Sequence, residues 1–425
     1  MLVVSRVSSL TPIPVGAIDE DKLVFSYDSA YLDSESPIPL SLSLPLKREP
    51  FPLVEWRPYF EGLLAEGGAR EALAAELQLP ENDWFGLLAA CARDCVGDVL
   101  IRPDNEVVNE TRSGYTPISL TDVRSVLGSA PSTADSNAQR RLSLAGAQSK
   151  TGFAHDPSRK MDEGWLVPEG LAATTHILKA SYLRDVPEIE FICMSAARAC
   201  GIETAEVSLL GLGNPVLAVK RFDRSATLVD NELRVERLHQ EDMAQAFGVT
   251  PASKYAELEG GSIAAMARLI RERSARPAVD LTQLARMTCF SYLIGNCDAH
   301  LKNFSLIYRE EHAGGTPLPR LAPAYDFVCT TRYERFSRNM AMSMGGVRAI
   351  DDVTPDALER LARDLGITNA ALRKICRSLA DDVESAIVAV GNGEMGQVME
   401  STPYIAEDLI EDMAARRTVL QRFCL

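Results

Sequence analysis

The sequence predicts an α+β protein, a mixed strand-and-helix half followed by a mainly helical half, and three observations lead there. Short alternating apolar runs broken by Pro and Ser mark small strands at residues 2–4, 23–25 and 40–46. Strand and helix patterns then mix through residues 141–222. From residue 240 onward, apolar residues recur at three- and four-residue spacing, the period of a helix face. The 425 residues, 46% hydrophobic and 24% charged, have a globular balance but exceed what one core supports, so two or three packed units are expected.

Taken in order, residues 1–105 form a first region, with helical spacing at 58–79 and 84–92 and a closing strand at 99–101. Residues 106–140 read as a linker or mobile loop, because the stretch 128–139 is small and polar and offers little apolar surface to bury. A third region, 141–224, carries a strand at 175–179, a helix that Pro187 opens and Gly201 stops, and a strand at 217–222. Residues 225–425 complete the chain, with helical periods at 240–247, 262–274, 281–295, 355–365, 369–390 and 403–423 and a strand at 304–308. No internal repeat is visible.

The charge and cysteine content exclude several functions. A net charge of −15 argues against gripping DNA unaided or docking on anionic membranes, since phosphate binding needs a basic surface. The pairs Lys47-Arg48, Arg140-Arg141 and Arg416-Arg417 read as solvated faces. Nine cysteines, an odd count without a C-x-x-C, read as core thiols of a reducing compartment. The N-terminus lacks a signal-peptide pattern, and no run approaches the roughly 20 apolar residues of a membrane span, so a soluble cytoplasmic protein is expected.

The informative stretch is Gly295-Asn296-Cys297-Asp298-Ala299-His300-Leu301-Lys302-Asn303-Phe304-Ser305, a polar loop between an apolar helix and an apolar strand. After the strand comes Ala324-Tyr325-Asp326-Phe327. The order follows the kinase layout: an Asp that deprotonates a hydroxyl, then an Asn and a later Asp that hold Mg²⁺. Phosphoryl transfer asks for hard oxygen ligands and positioning rather than covalent help. Position alone leaves a second reading open, in which all three are capping or turn residues.

Two further pieces lie upstream. Lys179 ends the apolar run Thr175-His176-Ile177-Leu178, and Glu190 sits on the following helix, as the lysine–glutamate pair of a kinase requires. Without the downstream motif they read as a surface pair. In the stretch 141–150, Ala145-Gly146-Ala147 can bring backbone N–H groups near phosphates, yet it matches neither G-x-G-x-x-G nor the Walker pattern and fits an ordinary tight turn as well. His176 reads as packing, and so do Met340, Met342 and Met344, although these also fall where a substrate-facing segment would lie.

In this order the pieces resemble the HipA family of toxin–antitoxin kinases across most of the chain. The N-terminal region adds Pro39 to Pro45 (PLSLSLP), Phe60-Glu61-Gly62 and Asp94-Cys95-Val96-Gly97, and the later part adds Ala218 to Arg224 (AVKRFDR) and Gln240-Glu241-Asp242-Met243. The resemblance implies a two-lobed protein-kinase-like fold with a strand-rich N-terminal subdomain (1–105), an ATP lobe (141–224) and a mainly helical C-lobe (225–425). It implies ATP and Mg²⁺ as cofactors, Asp298 as catalytic base, and Asn303 and Asp326 as metal ligands. Lys150, Lys179 with Glu190, and the Ala145-Gly146-Ala147 loop would serve the phosphates. Lys220, Arg221 and Phe222 would form the adenine hinge, with Asp223 near the ribose, and Gln240, His300, Lys302 and Tyr325 would line the site. Ser143 would be the autophosphorylation position, where phosphate adds roughly −1.5 to −2 charge and switches the loop off.

The implied substrate is a translation-related protein, with an aminoacyl-tRNA synthetase in first place. The implied partner is a helix-turn-helix antitoxin, through which alone the acidic chain would reach DNA. The family pattern is departed from at Lys220, where an acidic residue is expected, and by the extra hydroxyl of Ser149. A rival reading makes the chain a kinase-fold co-repressor with little phosphotransfer, which the intact Lys179, Asp298, Asn303 and Asp326 set opposes. A lesser one gives it a lipid or small-molecule acceptor.

Overall fold

A computed structural model of the chain describes residues 1–106, 113–128, 130–139, 144, 150–181, 183–310 and 315–425. It divides into two compact units, each assembled from separate stretches of sequence. The first comprises Met1–Ser181, Leu212–Ala252 and Ile307–Pro317, and the second Tyr182–Gly211, Ser253–Leu306 and Leu318–Leu425.

In the first unit an antiparallel sheet runs in the order Phe51–Pro52, Val24–Tyr27, Ile13–Asp19, Leu2–Arg6, Val99–Pro103. The helices Leu53–Glu61, Gly67–Glu76 and Trp84–Cys91 supply the rest of its core, and Phe25, Phe51, Trp56, Tyr59 and Phe60 are wholly buried there. Burying such rings contributes about 2–3 kcal/mol each, the main favourable term for this sheet. A second antiparallel set runs Asn214–Lys220, His176–Lys179, Lys150–His155, Trp165–Glu169, Gly114–Pro117. A hairpin of Arg224–Val229 and Glu232–Arg237 turns at Asp230 and Asn231, whose φ values of 52° and 65° give the primed turn that suits the strand twist.

The stretch 106–140 is not a linker. It holds the strand Gly114–Pro117 and the helices Leu120–Leu127 and Ala130–Gln139. Its small residues do not bury much area, but they allow close approach: Thr133 and Ala134 are buried, and the helix packs on Gly67–Glu76. Asn137 then ties the next strand, donating from Nδ2 to the Lys150 carbonyl (2.9 Å) and accepting at Oδ1 from the Thr151 hydroxyl (2.7 Å). The expected boundaries at 141 and 224 also move. Helix Val186–Ala199 groups with the second unit because residues 186–197 are buried on every side, against helices Asn369–Gly391 and Thr402–Phe423. Such a helix needs neighbours all round.

The first unit is locked by ionic groups without solvent access. Asp94 accepts from Arg224 Nη2 (2.9 Å) and from the amide and hydroxyl of Thr174 (2.9 and 2.7 Å). Asp223 accepts from Arg221 Nε and Nη2 (3.0 and 2.8 Å), Arg224 Nη1 (2.8 Å) and the Gly97 amide (2.7 Å). Arg237 lies 3.6 Å from Asp94. Burial pushes both carboxyls up, but the arginines outweigh it, holding Asp94 well below the usual carboxylate range and Asp223 below its ordinary value. Gly97 has φ +72°, and a Cβ there would meet the Gln240 backbone at 3.0 Å. The Asp94-to-Gly97 motif is therefore a clamp on residues 221–224 and 240. Nearby, Asp98 pairs with Arg6 (2.6 Å) and His239 Nδ1 (2.8 Å).

The second unit is helical. Pro277–Leu293 packs on Ser262–Arg273 and Asn369–Gly391, and Pro355–Leu365 buries Ala357, Leu358, Leu361, Ala362 and Leu365 along one face. Its helix ends at Gly366, whose φ of +63° places it in the left-handed cap glycine favours. All nine cysteines are free thiols, eight of them buried and Cys424 half-buried. Among the described residues no helix is long and apolar enough to cross a membrane.

Two predictions follow from the buried charges of the first unit. Asp94→Asn leaves the surrounding arginines short of a counter-charge and should lower unfolding free energy in urea by about 3–5 kcal/mol. His176 packs between Trp165 and His155, and burial, with His155 and Lys220 nearby, holds it down to about 3 from 6.5. Below 6.5 the unfolded chain takes up a proton that the folded one refuses, so stability falls as pH drops toward 3. His176→Phe should flatten this loss by on the order of 1 kcal/mol between neutral pH and about pH 5, measured by urea unfolding.

Candidate active site

The loop that carries Asp298 is fixed from behind before any functional group is placed. Helix Pro277–Leu293 ends one residue before Gly295, which turns the chain with φ +75°. A Cβ at Gly295 would overlap Thr331 Oγ1, so only glycine fits. The Gly295 carbonyl accepts from the Thr330 and Thr331 amides (3.0 and 3.1 Å), and Thr330 Oγ1 accepts from the Cys297 amide (2.8 Å). Buried Arg416, on helix Thr402–Phe423, donates to the Leu293 carbonyl (3.1 Å) and pairs with Asp412, which also accepts from Thr331 Oγ1 (2.7 Å). Burial would raise the Asp412 carboxyl, but Arg416 and the Thr331 hydroxyl bring it below its ordinary value.

On this base Asn296 joins the two aspartates of the motif. Its Oδ1 accepts from the Asp298 amide (3.1 Å), and its Nδ2 donates to the Asp326 carbonyl (3.3 Å). Asp298 is exposed, and its Oδ1 accepts a 2.8 Å hydrogen bond from the Tyr255 hydroxyl. The chain then makes a single 3₁₀ turn, Leu301–Asn303, closed by the Asn303 amide on the His300 carbonyl (2.9 Å). Tyr325 holds both flanks of Asn303: its hydroxyl donates to the Lys302 carbonyl (2.7 Å) and lies 2.5 Å from Ser305 Oγ. Asp326 follows with φ +57°, a left-handed backbone rare outside glycine and the kind of outlier that gathers at working sites. Thus Asp298, His300, Lys302, Asn303, Tyr325 and Asp326 are brought into one frame.

The nucleotide residues expected in the first unit are placed less uniformly. Lys179 stands in register opposite Lys150 across adjacent antiparallel strands. Lys220, at the end of strand Asn214–Lys220, is exposed, and Phe222 is half-buried. Arg221, expected at the hinge backbone, and Asp223, expected near the ribose, carry structural contacts of their own. Both side chains lie in the buried ion network, and the Arg221 amide already donates to the Thr175 carbonyl (2.9 Å). Gln240 is buried against Gly97, and Glu190, in the second unit, is buried in helix Val186–Ala199. Ser143, Ala145, Gly146, Ala147 and Ser149 lie outside the described residues.

Sequence reasoning missed Tyr255 and Asp412, and it read Arg416 as part of a solvated face, whereas Arg416 is buried. The four-residue spacing of Asp412 and Arg416 does not tell a surface pair from a buried one. A groove of about 550 Å³ also opens in the second unit, lined by Glu257, Gly260, Ser343, Gly345, Arg360 and Arg363.

Comparison with known proteins gives this arrangement its family. Residues 142–387 match the HipA-like C-terminal domain, and residues 9–102 match the HipA N-terminal domain. The chain belongs to the HipA family. A Sinorhizobium fredii relative named "Putative kinase Y4mE" is 35% identical over 389 residues, which cover 88% of this chain and 89% of the relative. The serine/threonine-protein kinase toxin HipA of Shewanella oneidensis is 25% identical, covering 86% of this chain and 82% of that one. The structure of the Shewanella oneidensis HipA, HipB and operator DNA complex contains a chain that matches with a TM-score of 0.80 at 23% identity, covering 100% of this chain and 99% of that one. The fold is accordingly the α+β, kinase-like HipA fold expected from the sequence.

Gly295→Ala tests the support behind the loop. The left-handed backbone costs a side chain about 1–2 kcal/mol, and the overlap with Thr331 adds to it. The variant should melt several degrees lower, whereas Gly346→Ala, where a Cβ meets nothing within 4 Å, should lose only the backbone share.

Proposed function

We propose that this HipA-family chain is an ATP- and Mg²⁺-dependent serine/threonine protein kinase acting as the toxin of a toxin–antitoxin pair. The observation that carries the reading is the Asn296–Tyr325 frame, which holds Asp298, Asn303 and Asp326 in the order and setting that phosphoryl transfer needs. Asp298 is the base. Its exposed carboxylate accepts the proton of an acceptor hydroxyl as that oxygen attacks the γ-phosphorus, and the bond to ADP breaks. Asn303 and Asp326 are the metal ligands. Both present hard oxygens, the donor type Mg²⁺ prefers, from backbone held rigid by Tyr325 and Asn296. Bound Mg²⁺ supplies neutralisation of the triphosphate charge.

Lys179 and Lys150, in register on adjacent strands, take the phosphates. Asp223 is left out of nucleotide binding, because its carboxylate is taken up by Arg221, Arg224 and the Gly97 amide. Self-phosphorylation at Ser143 serves as the off-switch, and a translation-related protein, with an aminoacyl-tRNA synthetase first, is the substrate. A HipB-like helix-turn-helix antitoxin is the partner. It is supported by the composition of the Shewanella oneidensis complex and by the −15 net charge, which leaves DNA contact to a partner.

Asp298→Asn should lower phosphate incorporation from γ-labelled ATP with Mg²⁺ by about 10²–10⁴-fold, the usual worth of a general base. Because Asp298 is exposed, its melting temperature should stay at the wild-type value. An undiminished rate in this variant would remove Asp298 from the mechanism.

A further inference from the structure

Tyr255 touches the proposed base yet belongs to none of the family motifs read in the sequence. Its hydroxyl donates to Asp298 Oδ1 at 2.8 Å, and its ring meets His300 edge-on at 5.1 Å. The residue is 46% exposed, so the bond reaches Asp298 from the solvent side, where an incoming acceptor must also approach. Its backbone is held, since Arg348 Nη2 donates to the Tyr255 carbonyl (3.0 Å) and to the Ala341 carbonyl (3.0 Å). With the main chain held, displacing the phenol takes only side-chain torsions, against the ring's contacts with His300 (5.1 Å) and Lys254 (5.3 Å).

We propose that Tyr255 is a stand-in for the acceptor: its phenol occupies Asp298 in the resting chain and must leave before a serine or threonine hydroxyl is deprotonated there. The inference rests on reading Asp298 as the base. The chemistry is that of the acceptor itself, an O–H on carbon donating to the carboxylate that would take its proton. While that bond is made, Asp298 Oδ1 is closed to water as well, which slows idle hydrolysis of ATP. Displacement selects acceptors that bring binding energy of their own, as a protein segment does and a water molecule does not. The groove beside Glu257 and Ser343 lies next along the chain from Tyr255, with Ser343 donating its amide to Glu257 (2.9 Å).

The test uses the full chain with Mg-ATP, first without any acceptor protein and then with dephosphorylated casein as the probe. Tyr255→Phe keeps the ring on His300 and removes only the hydroxyl. It should raise acceptor-free ATP hydrolysis by about tenfold or more, the scale of a hydrogen bond to a charged group, and lower the KM for casein more than it changes kcat. Tyr255→Leu, which also lacks the hydroxyl, should show the same direction, so a gain confined to one variant would be a packing effect and would count against the proposal. A hydrolysis rate in Tyr255→Phe no higher than wild type, including none in either, overturns it and makes Tyr255 at most a positioning residue. Label found on the Tyr255 phenol overturns it in favour of self-modification. Asp298→Asn is run beside them: full activity in that variant defeats the base assignment itself, whereas its loss together with an unresponsive Tyr255→Phe defeats the stand-in alone.

Discussion

The first unit depends on a cluster of charges that water cannot reach. Asp94 and Asp223 each take several donors from Arg221, Arg224 and their neighbours, and the carbonyl of Cys95 accepts from both arginines at 2.8 Å. Such a cluster is weak as a source of net stability, because removing these ions from water costs several kcal/mol apiece. Its value is selectivity. The shared donors and acceptors tie the segments around residues 94, 174, 221 and 237 together, with Arg224 Nε alone among the Arg224 nitrogens left without a partner. The Asp98–His239 pair and buried Glu241, which accepts from Ser41 (2.5 Å) and Tyr308 (2.6 Å), repeat the same device. Burial pushes the Glu241 carboxyl above its ordinary value despite these hydrogen bonds.

The second unit solves the same problem at its loop. There the chain must present a flexible, charged residue to solvent at a defined place. It does so by burying the support rather than the group, with Gly295, Thr330, Thr331, Asp412 and Arg416 behind and Asp298 in front. Asn296 and Tyr325 then spend side-chain hydrogen bonds on backbone carbonyls beside Asp326 and Asn303 rather than on any ligand. Rigid backing of this kind lets an exposed carboxylate hold its position without packing.

What was legible in the sequence follows the range of the interaction. The helix Pro355–Leu365 and the strand His176–Lys179 are set by local period, and both lie within a few residues of the sequence reading. The kinase-like order of Asp298, Asn303 and Asp326 was legible because the three sit in a short stretch of chain. By contrast, the partners of Asp94 include Arg224, 130 residues away, and Arg237 beyond it, and nothing local marks Arg224 or Asp223 as buried. Reading Asp223 as a residue near the ribose did not foresee its bonds to Arg221, Arg224 and the Gly97 amide. The helix Ala130–Gln139 escaped for a different reason: its small residues look like linker until the helix Gly67–Glu76 is beside them. Tyr255 escaped because a lone tyrosine carries no pattern.

The interleaving of the two units has a consequence in time. Asp94 leaves the ribosome 130 residues ahead of Arg224, which at ordinary synthesis rates is roughly ten seconds. The first unit is not complete until Pro317 has emerged, and by then the loop of Asp298 has been made but the helix carrying Arg416 has not. A nascent chain therefore exposes its half-built ion cluster well before the loop of Asp298 gains its backing. Order of synthesis alone leaves that loop unsupported until the helix Thr402–Phe423, which carries Arg416, has been made.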